Sequence, residues 1–231
     1  MKTILMLVCL SIMFIFYGCQ SSIMSTNDIF NSTMKSILEV KAHTDQVGTS
    51  FGTAVILKED GVLVTNYHVV SYTMVSQHHL HDNIYVRLAT EETYLAVTII
   101  SYDENNDLAF MKLNTLTNLV SITIGNSTQL KFGDSIFAVG NSNNHGIGIT
   151  SGIVSVPLVN VLHNGVVRSV IQCDITITSG NSGGALLDEI GHIVGITTFR
   201  IRDGGGDVIY GLGYAIPINH VIYTYEQIGI I

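Results

Sequence analysis

Cysteine is scarce in this chain. Three occur in 231 residues, at positions 9, 19 and 173. Cys9 lies in an apolar leader and Cys19 at its end. If the leader is removed and Cys19 carries lipid, Cys173 stands alone and no internal disulfide can form. Such a domain holds itself together by packing. Positive charge is scarce too. Ten Lys and Arg face 18 Asp and Glu, a formal charge of −8, which excludes the basic face that nucleic-acid binding requires. Charge of either sign is low, at 12% against 47% hydrophobic residues, which excludes a disordered chain. The chain also lacks low-complexity segments and internal repeats.

Apolar runs long enough for a comfortable transmembrane helix are missing as well. The longest, ILMLVCLSIMFIF at residues 4–16, follows Lys2 and has the length of a signal-peptide core. YGCQSS comes next. A small residue before cysteine resembles the lipobox of bacterial lipoproteins, with cleavage after Gly18 and acylation of Cys19; the alternative is ordinary secretory cleavage nearby. Residues 1–18 are read as this leader. The lipid, where present, is an anchor and not a span. Residues 19–45 read as a tether and a short helix, in which Ile29, Met34, Ile37 and Leu38 share one face.

From about residue 46 short β-rich runs alternate with turn clusters. VLVTN, NIYVRLA, YLAVTIISYD, LAFMKL, SIFAVG, HIVGITTF and GLGYAIPI are examples, and KEDG between two apolar runs signals a hairpin. Strands at roughly 8- to 12-residue spacing indicate an all-β barrel or sandwich. No repeated βα pattern is present. Residues 221–231 read as a closing helix or tail.

One stretch carries chemistry: SGNSGG, residues 179–184. It fits the nucleophile elbow of an α/β-hydrolase, the nucleophile turn of a chymotrypsin-like protease, or an idle glycine turn. An elbow demands a helix after the serine, then the acid and the histidine further on. HIVGITTF follows instead and reads as a strand, and no βα units carry His192 or His220 back to Ser182. Upstream, VLVTNYHVV places His68 at a strand end, and SYDENNDLAFMKL places Asp107 at the mouth of another. The order His, Asp, Ser is that of the chymotrypsin arrangement.

Here a resemblance becomes specific. TNYHVV, DENNDLAFMKL, GNSNNHGIGITSGIVS, IQCDITITSGNSGGALL, GHIVGITTF and GLGYAIPI resemble, in order, blocks of the HtrA/DegP-type trypsin-like serine proteases. The resemblance implies two six-stranded antiparallel β-barrels, about 46–120 and 121–220, with the site between them. It implies His68 as base, Asp107 as orienting acid and Ser182 as nucleophile. It selects Asp107 over Asp103, because the acid immediately precedes Leu-Ala. Backbone N–H groups of Gly180 and Ser182, with that of Asn181 close by, would form an oxyanion hole. Ile177, Thr197, Thr198 and Phe199 would frame the substrate pocket, whose apolar walls favour a small or medium apolar side chain. No cofactor is implied.

The expected function is therefore a serine endopeptidase of the cell envelope acting on unfolded or extended polypeptides. The alternative is a silent or latent protease fold that binds an envelope or host protein. The family often adds PDZ domains after the protease, but the chain ends shortly after Pro217, so peptide sensing by such a domain is not expected. The oligomer stays open between monomer and trimer. QHHLHD, residues 77–82, is read as a solvated loop rather than a metal site. Cys173 is read as a small core residue, RDGGGDV as a hairpin tip bordering the cleft, and NSNNHG as a turn-rich loop.

Overall fold

The computed structural model describes residues 24–114, 118–202 and 208–228. The leader and Cys19 lie outside the described residues. Helix α1, Thr26–Thr33, opens the described chain; the Ser25 side chain caps it by accepting from the Asp28 N–H at 3.2 Å.

Nine strands follow in the first half: β1 (Ile37–Thr44), β2 (Gly48–Ile56), β3 (Val62–Thr65), β4 (Ser71–Met74), β5 (Gln77–Leu80), β6 (Asn83–Leu88), β7 (Leu95–Ala96), β8 (Thr98–Asp103) and β9 (Leu108–Lys112). Between β3 and β4 lies a one-turn helix, α2, Tyr67–Val70. Seven of the strands form one curled sheet in the order β7-β6-β1-β2-β3-β9-β8; β4 and β5 form a separate hairpin. KEDG makes the expected turn between β2 and β3.

The second half contains β10 (Ser135–Gly140), β11 (Gly148–His163), β12 (Val166–Cys173), β13 (Ala185–Leu187), β14 (Ile193–Arg202) and β15 (Val208–Pro217). These close a six-stranded barrel in the order β10-β11-β12-β15-β14-β13. Helix α3, Ile218–Ile228, ends the described chain. The all-β, two-barrel architecture is therefore present, with two corrections. The first half has seven strands in its sheet rather than six, and its edge strands β7 and β8 do not pair, so it is curled but not closed.

The second correction concerns the start of the domain. Ile37–Thr44 is not tether or helix but a central strand, paired with β2 on one side and β6 on the other. Its first four residues are all buried, so neither a two-residue nor a helical period shows in the sequence. Glu39 is tolerated there because Arg87, its partner across β6, and the Tyr94 hydroxyl both donate to its carboxylate.

Packing divides into two internal cores and a seam. Leu38, Val40, Ile56, Leu63 and Met111 fill the first half, while Ile136, Val154, Ile171 and Leu186 fill the second. Between them, Val55, Val64 and Phe110 of the first half meet Val139, Leu187 and Ile196 of the second. Each such side chain, fully buried, stabilises by about 1.5–3 kcal/mol relative to exposure. Helix α3 reaches back across the seam: the Tyr225 ring lies 5.2 Å from that of Phe110, with Lys58 Nζ 4.5 Å from the Tyr225 ring centre.

QHHLHD is not a loop. It forms β5 and the residues after it, with Tyr72 of β4 opposite His79. Val75 and Ser76, both at positive φ, make the tight turn of this hairpin. The three histidines take separate places. His79 and His81 pack on the Tyr72 ring, while His78, on the other face, lies 3.3 Å from Glu104.

Candidate active site

His68 sits in the single turn of α2, directly after β3, and its side chain is half-exposed. Asp107 is buried at the entrance of β9, in a left-handed backbone conformation, φ 57°. That conformation is unfavourable for a residue with a side chain and persists only when its surroundings fix it. The surroundings do so. The Asp107 carbonyl accepts from the Tyr67 N–H at 3.1 Å and from Asn66 Nδ2 at 2.9 Å. Its carboxylate accepts from the His68 N–H at 3.0 Å and lies 2.8 Å from His68 Nδ1. The Thr198 hydroxyl, from β14, donates to the same oxygen that faces Nδ1, at 2.7 Å.

Two consequences follow. A carboxylate only accepts, so the Asp107 bond requires the proton on Nδ1, and an uncharged ring then has Nε2 free to accept. Burial alone would raise the Asp107 carboxyl. The attraction of His68, the bonds from its ring and backbone N–H, and the Thr198 hydroxyl outweigh burial and hold it below the ordinary value.

Ser182 lies in the turn before β13. Its hydroxyl donates to the Thr198 carbonyl at 2.9 Å, so Thr198 touches both the acid and the serine. The turn is tied to the first half through Thr53 of β2. The Thr53 N–H donates to the Ser182 carbonyl at 2.9 Å and its hydroxyl to the Gly180 carbonyl at 2.6 Å; the same hydroxyl accepts from the Asn141 N–H.

The backbone N–H groups expected to form an oxyanion hole are those of Gly180, Asn181 and Ser182. Asn143 N–H donates to the Ser179 carbonyl at 2.7 Å. A trans peptide sends its N–H opposite to its carbonyl, so the Gly180 N–H points away from Asn143. Gly180 has φ 93°, and a Cβ there would run into the Asn141 carbonyl, so only glycine fits. Among the described residues neither the Gly180 nor the Ser182 N–H has an intramolecular acceptor. Asn181 differs: its N–H is engaged by the Thr178 carbonyl at 3.1 Å, which leaves it no part as a donor in this state.

The four expected pocket residues do not converge. Thr197 and Thr198 are buried, the first holding the Asn181 carbonyl and the second Asp107. Phe199 is stacked between His163, at 4.0 Å, and Tyr214, at 5.2 Å. It faces a cavity of about 380 Å³ shared with Tyr67, His68, Glu104, His163 and Arg168. Burial first, then the Arg168 charge, push the His163 imidazole below its ordinary value. Ile177 lines a different and much smaller cavity, of about 10 Å³.

Several contributors escaped the sequence reading. Thr53 and Asn66 carry no chemistry of their own and act through residues distant in the chain. Asn141 and Asn143 sit in NSNNHG, whose turn composition hides its role as a support for the 179–181 backbone.

The sequence profile of the trypsin-like peptidase domain matches residues 52–196, a span that contains His68, Asp107 and Ser182. The chain belongs to the trypsin-like peptidase family. Within it, the chain is an HtrA-like protease domain. It is 39% identical over 166 residues to a probable periplasmic serine endoprotease, DegP-like, of Chlamydia muridarum, covering 72% of this chain and 31% of that one. It is 34% identical to the serine endoprotease DegS of Haemophilus influenzae, covering 74% of this chain and 47% of that one. Among solved structures, the HtrA-type protease AlgW with a tripeptide superposes with a TM-score of 0.77 at 30% identity, over 89% of this chain and 64% of that one. The chain thus spans about a third to a half of the length of these curated relatives.

Proposed function

We propose that this HtrA-like domain is a serine endopeptidase of the cell envelope that hydrolyses unfolded or extended polypeptides through an acyl-enzyme. The observation that carries this reading is the continuous linkage His68–Asp107–Thr198–Ser182, in which one threonine holds the acid and abuts the nucleophile. The names of the relatives, a probable periplasmic serine endoprotease and a serine endoprotease, agree with it.

In this mechanism the Ser182 hydroxyl turns from the Thr198 carbonyl toward His68 Nε2. Its oxygen attacks the scissile carbonyl carbon as Nε2 takes the proton. The carbonyl oxygen gains the negative charge and is held by the Gly180 and Ser182 N–H groups. His68 passes the proton to the leaving amine, which departs with its peptide. A water then attacks the acyl carbon, giving one proton to Nε2, and the acid product leaves as Ser182 regains its hydrogen. Asp107 keeps the imidazole in its tautomer and stabilises the imidazolium without itself becoming protonated. An extended substrate adds as a strand along a barrel edge.

A second reading, a latent or silent peptide-binding fold, is favoured by one observation: the resting Ser182 hydroxyl is engaged with Thr198. A fluorophosphonate probe separates the two. Labelling of the wild type and not of Ser182→Ala supports the enzyme. A wild type unlabelled across a range of pH and added peptides supports the silent fold.

A further inference from the structure

The small cavity beside Ile177 contains an arginine. Its walls come from three segments, two of which flank the serine. One is the Ile175–Ile177 run leading into the Ser182 turn. Another is β14, whose Thr198 carbonyl touches the Ser182 hydroxyl and whose Arg200 follows two residues on; β15 closes the third side with Leu212. Arg200 reaches from the second wall to the first, where its guanidinium donates to the Ile177 carbonyl at 3.3 Å. The side chain therefore crosses the cavity and leaves only about 10 Å³ of it open. The other cavity, with Phe199, lies on the His68 side of the site.

The run Ile175–Ile177 leads into the Ser182 turn and the Thr198 carbonyl of β14 meets the Ser182 hydroxyl, so this cavity stands beside any acyl group carried on that hydroxyl. Resting on the endopeptidase reading above, we propose that Arg200 makes this a pocket for an acidic side chain, so that cleavage follows Asp or Glu. The bond to Ile177 is long for an N–H···O bond and has a neutral acceptor. A carboxylate entering the pocket replaces it with a shorter, charge-assisted and bidentate contact. Apart from Thr176 and Gly211 the other lining residues, Ile175, Ile177, Ile209 and Leu212, are apolar, which lowers the local dielectric and strengthens that attraction. The same permanent positive charge repels a lysine or arginine side chain. With Arg200 in place an aliphatic side chain enters only by displacing the guanidinium from the Ile177 carbonyl, a loss that it does not offset with a hydrogen bond of its own.

The experiment has two arms, both on the full chain in detergent. In the first, Ser182→Ala is titrated with short fluorescent Gly-Ala peptides carrying one varied residue: Asp, Glu, Val, Leu or Lys. In the second, the wild type cleaves the same peptides and the products are mapped by mass spectrometry. The acidic peptides are expected to lead by about tenfold or more in both arms, as one charge-assisted contact implies. Arg200→Leu abolishes that lead and raises Val and Leu; Arg200→Lys, which keeps the charge but not the fork, retains a reduced lead. Circular dichroism confirms that each variant is folded. A profile led by Val or Leu, unchanged by either Arg200 substitution, overturns the proposal while leaving the endopeptidase intact. Acid-selective binding without any cleavage preserves the pocket and removes the endopeptidase reading.

Discussion

The Thr198 hydroxyl and the Asp107 carboxylate are hydrogen-bonded at 2.7 Å across the boundary between the two halves of the molecule. The acid comes from the first sheet and its extra donor from the closed barrel. Because Thr198 also receives the Ser182 hydroxyl on its carbonyl, one residue holds both the Asp107 carboxylate and the Ser182 hydroxyl.

Thr198→Val removes the donor and keeps the shape. The buried carboxylate then loses one of its hydrogen bonds, at a cost of about 1–3 kcal/mol. Turnover is expected to fall by roughly 10-fold or more, with KM little changed, as that energy converts to rate. Thr198→Ser retains the donor and recovers most of it. Steady-state kinetics on a fluorogenic peptide reads both variants.

Asp107 should contribute to acid sensitivity in a defined window. Its carboxyl titrates lower in the folded protein than in the unfolded chain. The stabilisation is thus fully present above an unfolded value of about 4 and is lost as pH falls below that, through the folded value. Asp107→Asn removes this part of the dependence. The difference in melting temperature between wild type and variant should shrink as pH is lowered from 5 to 2. The same variant should lose roughly 10,000-fold in turnover at neutral pH, because the amide favours the wrong tautomer of His68.

Gly180→Ala meets both a left-handed backbone and the Asn141 carbonyl. The turn has to shift, and the N–H of residue 180 moves with it. Loss of one such donor typically lowers turnover by about 100- to 1000-fold. Fluorophosphonate labelling rates should fall in parallel, while the melting temperature of the variant reports any separate cost in stability.

Cys173 should be inert in the folded chain. It is buried, its thiol faces the Gly213 carbonyl, and burial pushes the thiol up to about 11. Iodoacetamide at pH 8 is expected to leave the Cys173 peptide unmodified in native protein and to alkylate it fully in urea, as read by mass spectrometry. Rapid native alkylation would show that the barrel opens at this strand.

The sequence spoke most clearly where chemistry needs particular side chains. His68, Asp107 and Ser182 stand in an order and in surroundings that have few other meanings, and the turns around them punctuate the strands. β1 was hidden because ILEV is buried on both faces and carries a paired glutamate, which imitates a helix start. QHHL was hidden because its alternation is of histidines against two different partners, not of apolar against polar. Thr53 and Thr198 are ordinary strand residues by composition, and their roles arise only from pairings 88 to 127 residues apart in the chain. The four residues expected to frame the pocket face different ways for a related reason. A pairing irregularity in β14 between Thr197 and Arg200 breaks the simple alternation, so neighbours in sequence face different cavities.

Thr53 and Thr198 form a reciprocal arrangement. The first sheet lends a threonine to the serine turn, and the barrel lends a threonine to the acid. Neither half, folded by itself, contains a finished set of catalytic groups. The activity proposed above therefore depends on the two halves being packed together, and a change that loosens the seam between them disturbs the acid and the serine turn at once.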